Sequence, residues 1–205
     1  MNKKLLAGMA AGLVYLASST LAHANLIING SFETPVLTFD GGEIHAAIDG
    51  WTTISGAGIG VQHYGAGGSY DAVQHIELDS TGNSAIQQMI ATTVGQSYSL
   101  SFAYSPRPNV PEDSNGIEVW WNDTLVTSIS GYIDNTLSWR EYHYTVLGTG
   151  APDSLVFKAV GTSDMKGGFL DAVSLTYSPV PEPATMFLLG SGLVCLAGAR
   201  RRMKA

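Results

Sequence analysis

The chain has 205 residues, 45% of them hydrophobic, a single cysteine and a formal charge of −7, which allows one domain of ordinary size. The charge is unevenly spread: between residues 25 and 180, four basic residues face sixteen acids, a formal −12. That balance excludes a nucleic-acid binder, which needs cations to neutralise phosphate. The lone Cys195 leaves no disulfide framework and no thiolate zinc site.

Residues 1–24 open with Asn2-Lys3-Lys4, continue as an apolar run from Leu5 to Ala17, and close on Ala22-His23-Ala24. A basic start, a short apolar run and an A-x-A site are the parts of a secretory signal peptide. Signal peptidase is the expected processing partner, cutting after Ala24.

Residues 25–179 read as one all-β domain. Short β-rich runs are punctuated by Gly, Asn, Asp and Pro, and no amphipathic helix is visible. Phe32-Glu33 is placed in a first strand. Strands then follow at Gln74–Asp79, Ala85–Ile90, Ser97–Tyr104, Ile117–Trp121, Leu125–Ile129, Glu141–Leu147, Leu155–Val160 and Phe169–Tyr177. The clearest is Ser97–Tyr104, where Tyr98, Leu100, Phe102 and Tyr104 alternate with small residues, giving one core face and one wet face. Gly95-Gln96 and Asn122-Asp123 suit tight connections. About eight to ten strands in an antiparallel double sheet are expected.

The C-terminal segment, residues 180–205, begins with Pro181-Glu182-Pro183. A charge-free run from Ala184 to Ala199 and a basic tail over residues 200–205 follow. As a helix the run would extend roughly 24 Å, just under a ~30 Å hydrocarbon core. It reads as a marginal transmembrane helix whose basic tail stays cytoplasmic.

This three-part ending resembles the PEP-CTERM sorting signal. The resemblance implies an exosortase as a second processing partner, a transient membrane anchor, and a destination in the envelope or outside a Gram-negative bacterium. The ectodomain segments Asn25–Glu33, Gly50-Trp51, Gln74-His75-Ile76-Glu77-Leu78, Ile86-Gln87-Gln88, Tyr98-Ser99-Leu100-Ser101-Phe102 and Leu170-Asp171-Ala172-Val173-Ser174-Leu175 resemble, in that order, the galactose-binding-like jelly roll. The nearest subgroup is a domain family of unknown function found in plant cell-wall proteins and bacterial PEP-CTERM proteins. What this implies is a β-sandwich related to carbohydrate-binding modules, without fixing a ligand.

Three groups of residues are candidates for chemistry. Strict alternation puts Asp171 on the face of Phe169, Val173 and Leu175, so a carboxylate falls on an apolar face and needs a partner. In the related modules, acids at the positions of Glu33 and Asp171 hold a structural calcium ion, and hard oxygen ligands suit Ca²⁺. The plainer reading of Asp171 is a hydrogen-bond acceptor at a turn. Next, His75, Glu77 and Asp79 share one face of a strand. They could serve acid/base chemistry or hydrogen-bond sugar hydroxyls, but their spacing of ~7 Å is not diagnostic of glycoside hydrolysis, and the plainer reading is a solvated polar face. The third group is aromatic. Trp120 lies opposite the core parity of Ile117 and Val119, and Trp51, Tyr64, Tyr70 and Trp139 fall in or beside loops, where a flat ring could stack on a pyranose. Packing is the competing reading for each tryptophan, and Trp121, on the core parity, is assigned to it. Arg107, between Pro106 and Pro108, could bond a uronate or a sugar hydroxyl.

The expected carbohydrate-binding set is therefore Trp120, Arg107, Trp51, Tyr64, His75 and Glu77, with metal ligands Glu33 and Asp171 and no catalytic residue. The leading function is non-enzymatic binding of exopolysaccharide or cell-wall glycan. The alternatives are a structural or adhesive matrix protein without a sugar pocket, and a polysaccharide hydrolase using the His75 face.

Overall fold

The computed structural model of the protein describes residues 24–64, 67–131, 135–178 and 190. The expected signal peptide, apart from Ala24, and the sorting tail with Pro181-Glu182-Pro183, apart from Gly190, lie outside the described residues. Among the described residues no helix is long and apolar enough to cross a membrane.

Twelve strands are described: β1 Gly41–His45, β2 Ala47–Ile48, β3 Trp51–Ser55, β4 Ile59–His63, β5 Gln74–Glu77, β6 Ala85–Ala91, β7 Ser97–Ser105, β8 Gly116–Trp121, β9 Thr124–Ile129, β10 Arg140–Leu147, β11 Pro152–Val160 and β12 Phe169–Tyr177. They form two six-stranded antiparallel sheets, ordered β1-β4-β5-β12-β7-β10 and β2-β3-β6-β11-β8-β9. This is the jelly-roll sandwich expected from the sequence, with twelve strands among the described residues in place of about eight to ten.

The core lies between the sheets, and alternation decides its membership. Tyr98, Leu100, Phe102 and Tyr104 of β7 are buried, as are Ile117, Val119 and Trp121 of β8 and Leu155, Phe157 and Ala159 of β11. Each of these strands therefore contributes every second residue to one layer. The hairpin between β8 and β9 turns on Asn122, whose φ of 53° is left-handed, a conformation Asn adopts more readily than most residues.

Two expectations fail. Phe32 and Glu33 are not in a strand: residues 25–40 run as turns and irregular chain. The segment is fixed by long-range bonds, with Leu26 N–H donating to Leu175 O at 2.9 Å and Val173 N–H to Gly30 O at 2.9 Å. Gly30 lies against the Val173 carbonyl, where a Cβ would collide with backbone. Phe32, at φ 56°, is driven into the core.

The second failure concerns β12. Its register against β7 shifts between Asp171 and Ser174, and Ala172 has a φ of 49°. This bulge reverses the alternation. Leu170 before it and Val173 and Leu175 after it point into the core, so Phe169 and Asp171 lie on the outer face of the sheet. Asp171 does not share a face with Val173 and Leu175.

Candidate functional site

The register across the first sheet aligns Ile44, Gly60, Glu77, Phe169 and Ser105 in one row of its outer face. The adjacent row holds Gly42, Gln62 and His75. Glycine at positions 42 and 60 removes side chains where neighbouring rows carry them. A cleft of about 230 Å³ opens there, lined by Ile44, Gln62, Glu77, Ser80, Arg107 and Met165 beside the two glycines. Packing at Gly60 is also close, since a Cβ on it would displace Ser80 Oγ.

Glu77 forms the floor and is only 2% exposed. Its Oε1 accepts from Arg107 Nη1 at 2.7 Å and from the Gly167 N–H at 2.7 Å, and its Oε2 accepts from Gln62 Nε2. Burial pushes its carboxyl above the usual range, while Arg107 and the Gly167 N–H pull it back. Arg107 is itself positioned by the core. Its backbone N–H donates to Asn115 Oδ1 at 2.8 Å, Asn115 is fully buried, and its guanidinium lies 5.7 Å from the Phe169 ring centroid. Arg107 is 27% exposed and lines the cleft.

Alternation does place His75 and Glu77 of β5 on one face, and Asp79 lies past the strand's end; all three are buried and not solvated. Loops from other parts of the chain cover them. The His75 ring packs against Phe169 at 4.6 Å and Trp139 at 5.7 Å, and among the described residues neither ring nitrogen has a hydrogen-bond partner. Burial, with help from the Arg107 charge, lowers its pKa to about 4, so the imidazole is neutral at pH 7. Asp79 accepts from Ser163 Oγ at 3.1 Å and from the Asp164 N–H at 3.0 Å. Of the three, only Glu77 lines the cleft.

Glu33 and Asp171 act on one loop. Glu33 Oε1 accepts the N–H groups of Val73 and Gln74 at 2.9 and 2.7 Å. Asp171 Oδ2 accepts those of Tyr70 and Asp71 at 2.8 and 2.9 Å, and its Oδ1 accepts that of Ala172 at 2.6 Å. The two acids thus hold residues 70–74 from both ends. Burial raises the Asp171 pKa to about 7 against the pull of those three N–H groups. As oxygen donors both acids suit a hard cation, but their bonded oxygens point at amide hydrogens. Among the described residues no group of three or more His, Cys, Asp or Glu side chains gathers as a metal would require.

The remaining aromatic candidates are scattered. Trp51 is core, 1% exposed, with ring centroids 5.7 Å from Phe32 and 5.9 Å from Phe157, and is out of reach of a ligand. Trp120 sits on the outer face of the other sheet, its Nε1 bonded to Glu118 Oε2 at 3.1 Å. Tyr64 is exposed at the end of β4, its ring edge-on to His63 at 4.6 Å. The structure therefore brings Arg107, Glu77 and His75 together and leaves Trp51 and Trp120 apart from them. Sequence reasoning missed Gly42, Gly60, Gln62, Ile44 and Met165. The only trace of them is a glycine-rich stretch, Gly56–Gly60, ending inside a strand.

Residues 179–202 match the family model for the PEP-CTERM protein-sorting motif. The chain carries a PEP-CTERM sorting signal. The chain is similar to part of the multifunctional-autoprocessing repeats-in-toxin protein of Vibrio cholerae, 29% identical over 161 residues, which is 77% of this chain and 3% of that protein. The corresponding protein of Vibrio vulnificus is 30% identical over 152 residues, 73% of this chain and again 3% of its length. Among solved structures, the K1 cleaved adhesin domain of Lys-gingipain from Porphyromonas gingivalis W83 superposes with a TM-score of 0.51 at 16% identity, covering 73% of this chain and 96% of that one. A family 16 carbohydrate-binding module gives a TM-score of 0.49 at 16% identity, covering 74% and 99%. The likeness to the adhesin domain is one of fold.

Proposed function

We propose that this PEP-CTERM protein is a surface-sorted, non-catalytic glycan-binding protein whose ligand enters the Glu77–Arg107 cleft. The observation that carries this reading is a buried carboxylate fixed by a guanidinium, a side-chain amide and a backbone N–H at the floor of a cleft walled by Ile44 and Met165. A pyranose presents hydroxyls on its edges and C–H groups on its faces. Hydroxyls can donate to Glu77 Oε2 and accept from the free N–H groups of Arg107, while a ring face lies against Ile44 or Met165. Because Arg107, Gln62 and Gly167 already hold the acceptor in place, little ordering accompanies binding.

Hydrolysis needs a second carboxyl at a set distance across the scissile bond. Asp79 is engaged by Ser163 and Asp164, and His75 is shut beneath Trp139 and Phe169. Glu43 also lines the cleft, and the reading of binding without turnover rests on the engagement of Glu77 by Arg107, Gln62 and Gly167. The route to the surface is signal peptidase at Ala24, brief anchoring through residues 184–199, and recognition of Pro181-Glu182-Pro183 by an exosortase. The glycan is exopolysaccharide or cell-wall polysaccharide. Calcium at Glu33 and Asp171 belongs to the same reading as a prop for the loop between them, and its test is given below.

A glycan array probed with the purified protein tests the site. Gly42→Trp, which fills the cleft, and Arg107→Gln should abolish binding that Trp120→Ala retains. Binding unaffected by Gly42→Trp sinks the cleft, and protein partners without any glycan would favour the adhesive reading. Turnover lost in Glu77→Gln would make it a hydrolase.

A further inference from the structure

Two loop aromatics, Tyr70 and Trp139, stand outside the cleft with their ring centroids 6.1 Å apart. Tyr70 is 43% exposed, yet it is fixed at both ends. Its N–H donates to Asp171 Oδ2 of β12 at 2.8 Å, and its hydroxyl faces the Glu141 carboxylate of β10. Trp139 is half-buried, with Nε1 donating to Gly68 O at 3.1 Å and the ring edge-on to His75 at 5.7 Å. Both rings are thus braced by the chain itself.

A line of contacts joins this pair to the cleft. Arg107 lies 5.7 Å from the Phe169 ring centroid, Phe169 packs on His75 at 4.6 Å, His75 meets Trp139, and Trp139 meets Tyr70. Phe169 is in register with Glu77 on one side and Ser105 on the other, so the line follows the outer face that carries the cleft. In the sheet order β1-β4-β5-β12-β7-β10 the cleft occupies the β1 side, and Tyr70 is pinned between β12 and β10. His75 is two residues from Glu77, ~7 Å along β5, so the rings lie within reach of the sugars that follow one seated in the cleft. The cleft alone is small: at about 230 Å³ it falls below the ~300–1,000 Å³ of sites that enclose a small ligand. A longer ligand must find further contacts outside it.

We propose that Trp139 and Tyr70 form a second sugar subsite, so that the ligand is bound as an internal stretch of polysaccharide lying across the strands of the first sheet. The proposal extends the glycan reading of the Glu77–Arg107 cleft and rests on it. One sugar sets its hydroxyls on Glu77 and Arg107, and a later one lays its C–H face on the aromatic pair. Two weak contacts on one rigid sheet act on a single chain as linked sites, so affinity rises with chain length until both are filled. The same line gives His75 a role. Its buried, neutral ring has no hydrogen-bond partner among the described residues, and it serves as a flat spacer that holds Trp139 above Phe169. It is a positioning residue and touches no sugar.

The test is titration of the full-length protein in mild detergent with β-1,4-linked gluco-, manno- and galacto-oligosaccharides two to six residues long. In a series that binds, affinity should rise about tenfold or more from the shortest member to the longest. Trp139→Ala and Tyr70→Leu should flatten that rise while leaving the affinity for the disaccharide as in wild type. Tyr70→Leu keeps the backbone N–H that Asp171 holds, and a melting temperature within a few degrees of wild type shows that it folds. His75→Phe should keep the rise, because a flat ring remains under Trp139, and His75→Ala should lose it. An affinity independent of length, or a rise that survives both ring variants, overturns the proposal. Gly42→Trp separates it from the cleft reading. That variant should abolish binding of every oligomer, whereas length-dependent binding that it leaves intact and the ring variants remove would sink the cleft and keep the rings. Binding to none of the oligomers counts against both.

Discussion

Glu77 and Arg107 stand 30 residues apart in the sequence and meet at 2.7 Å, the carboxylate buried on β5 and the guanidinium arriving from the loop after β7. The pair joins the sheet to the loop that walls the cleft, so it is both a structural clamp and the polar floor of the proposed site. A buried carboxylate left without its cation keeps its desolvation cost, which is the larger share of what such a pair contributes.

Arg107→Ala should therefore destabilise the protein by about 2–4 kcal/mol, somewhat less than for a fully enclosed pair because Arg107 retains contact with solvent. Adding Glu77→Gln should restore much of that loss, since no charge then remains to be compensated. Urea titrations of the two single variants and the double variant measure the coupling. Additive losses would show that the pair is not the clamp described.

Stability should depend on pH through Asp171 in a direction opposite to that of an ordinary carboxylate. Burial raises its pKa from 3.8 to about 7 in the folded state, so the folded protein holds the proton more tightly. The stabilisation is complete below about pH 4, is lost as pH rises to about 7, and is level above, with a slope of at most ~1.4 kcal/mol per pH unit. His75 acts in the other sense over an overlapping range, because its pKa falls from 6.5 to about 4 and its contribution is lost as pH drops through that window. Comparing wild type with Asp171→Asn isolates the Asp171 slope. Identical pH profiles for the two proteins would refute it.

The two tryptophans assigned together by sequence should separate in stability measurements. Trp51→Ala removes a fully buried ring between Phe32 and Phe157 and should cost about 3–5 kcal/mol. Trp120→Ala, on the outer face of the other sheet, should cost well under half of that. Thermal or chemical denaturation of both variants checks the ordering, and equal losses would contradict the burial described here.

Calcium is tested at the loop over residues 70–74. If an ion binds only the folded protein at Glu33 and Asp171, a hundredfold excess over its Kd stabilises by about 2.7 kcal/mol. The melting temperature should rise with calcium and fall with chelator, and the effect should vanish in Glu33→Gln. A melting temperature indifferent to both would leave the two acids to their backbone N–H groups alone.

Alternation alone determined much of this protein. The two-residue period in Ser97–Tyr104, Ile117–Trp121 and Leu155–Val160 marks which side chains enter the core, because each side chain of a strand must face one layer or the other. The same period put His75 and Glu77 on one face, while Asp79 falls beyond the end of β5. Composition excluded nucleic acid, and the Pro181-Glu182-Pro183 ending identified the sorting signal, since both are properties of the chain and not of its folding. Only the tertiary structure decided the rest. Whether a sheet face is wet depends on what folds back over it, and the rings closing over His75, Trp139 and Phe169, lie 64 and 94 positions further along the chain. The direction of Asp171 was reversed by a single bulge at Ala172, which no periodic pattern encodes. The cleft itself comes from two missing side chains, Gly42 and Gly60, brought into adjacent rows by strand register. The acidity and the lone cysteine of the opening composition bounded what the chain could bind, and register decided where.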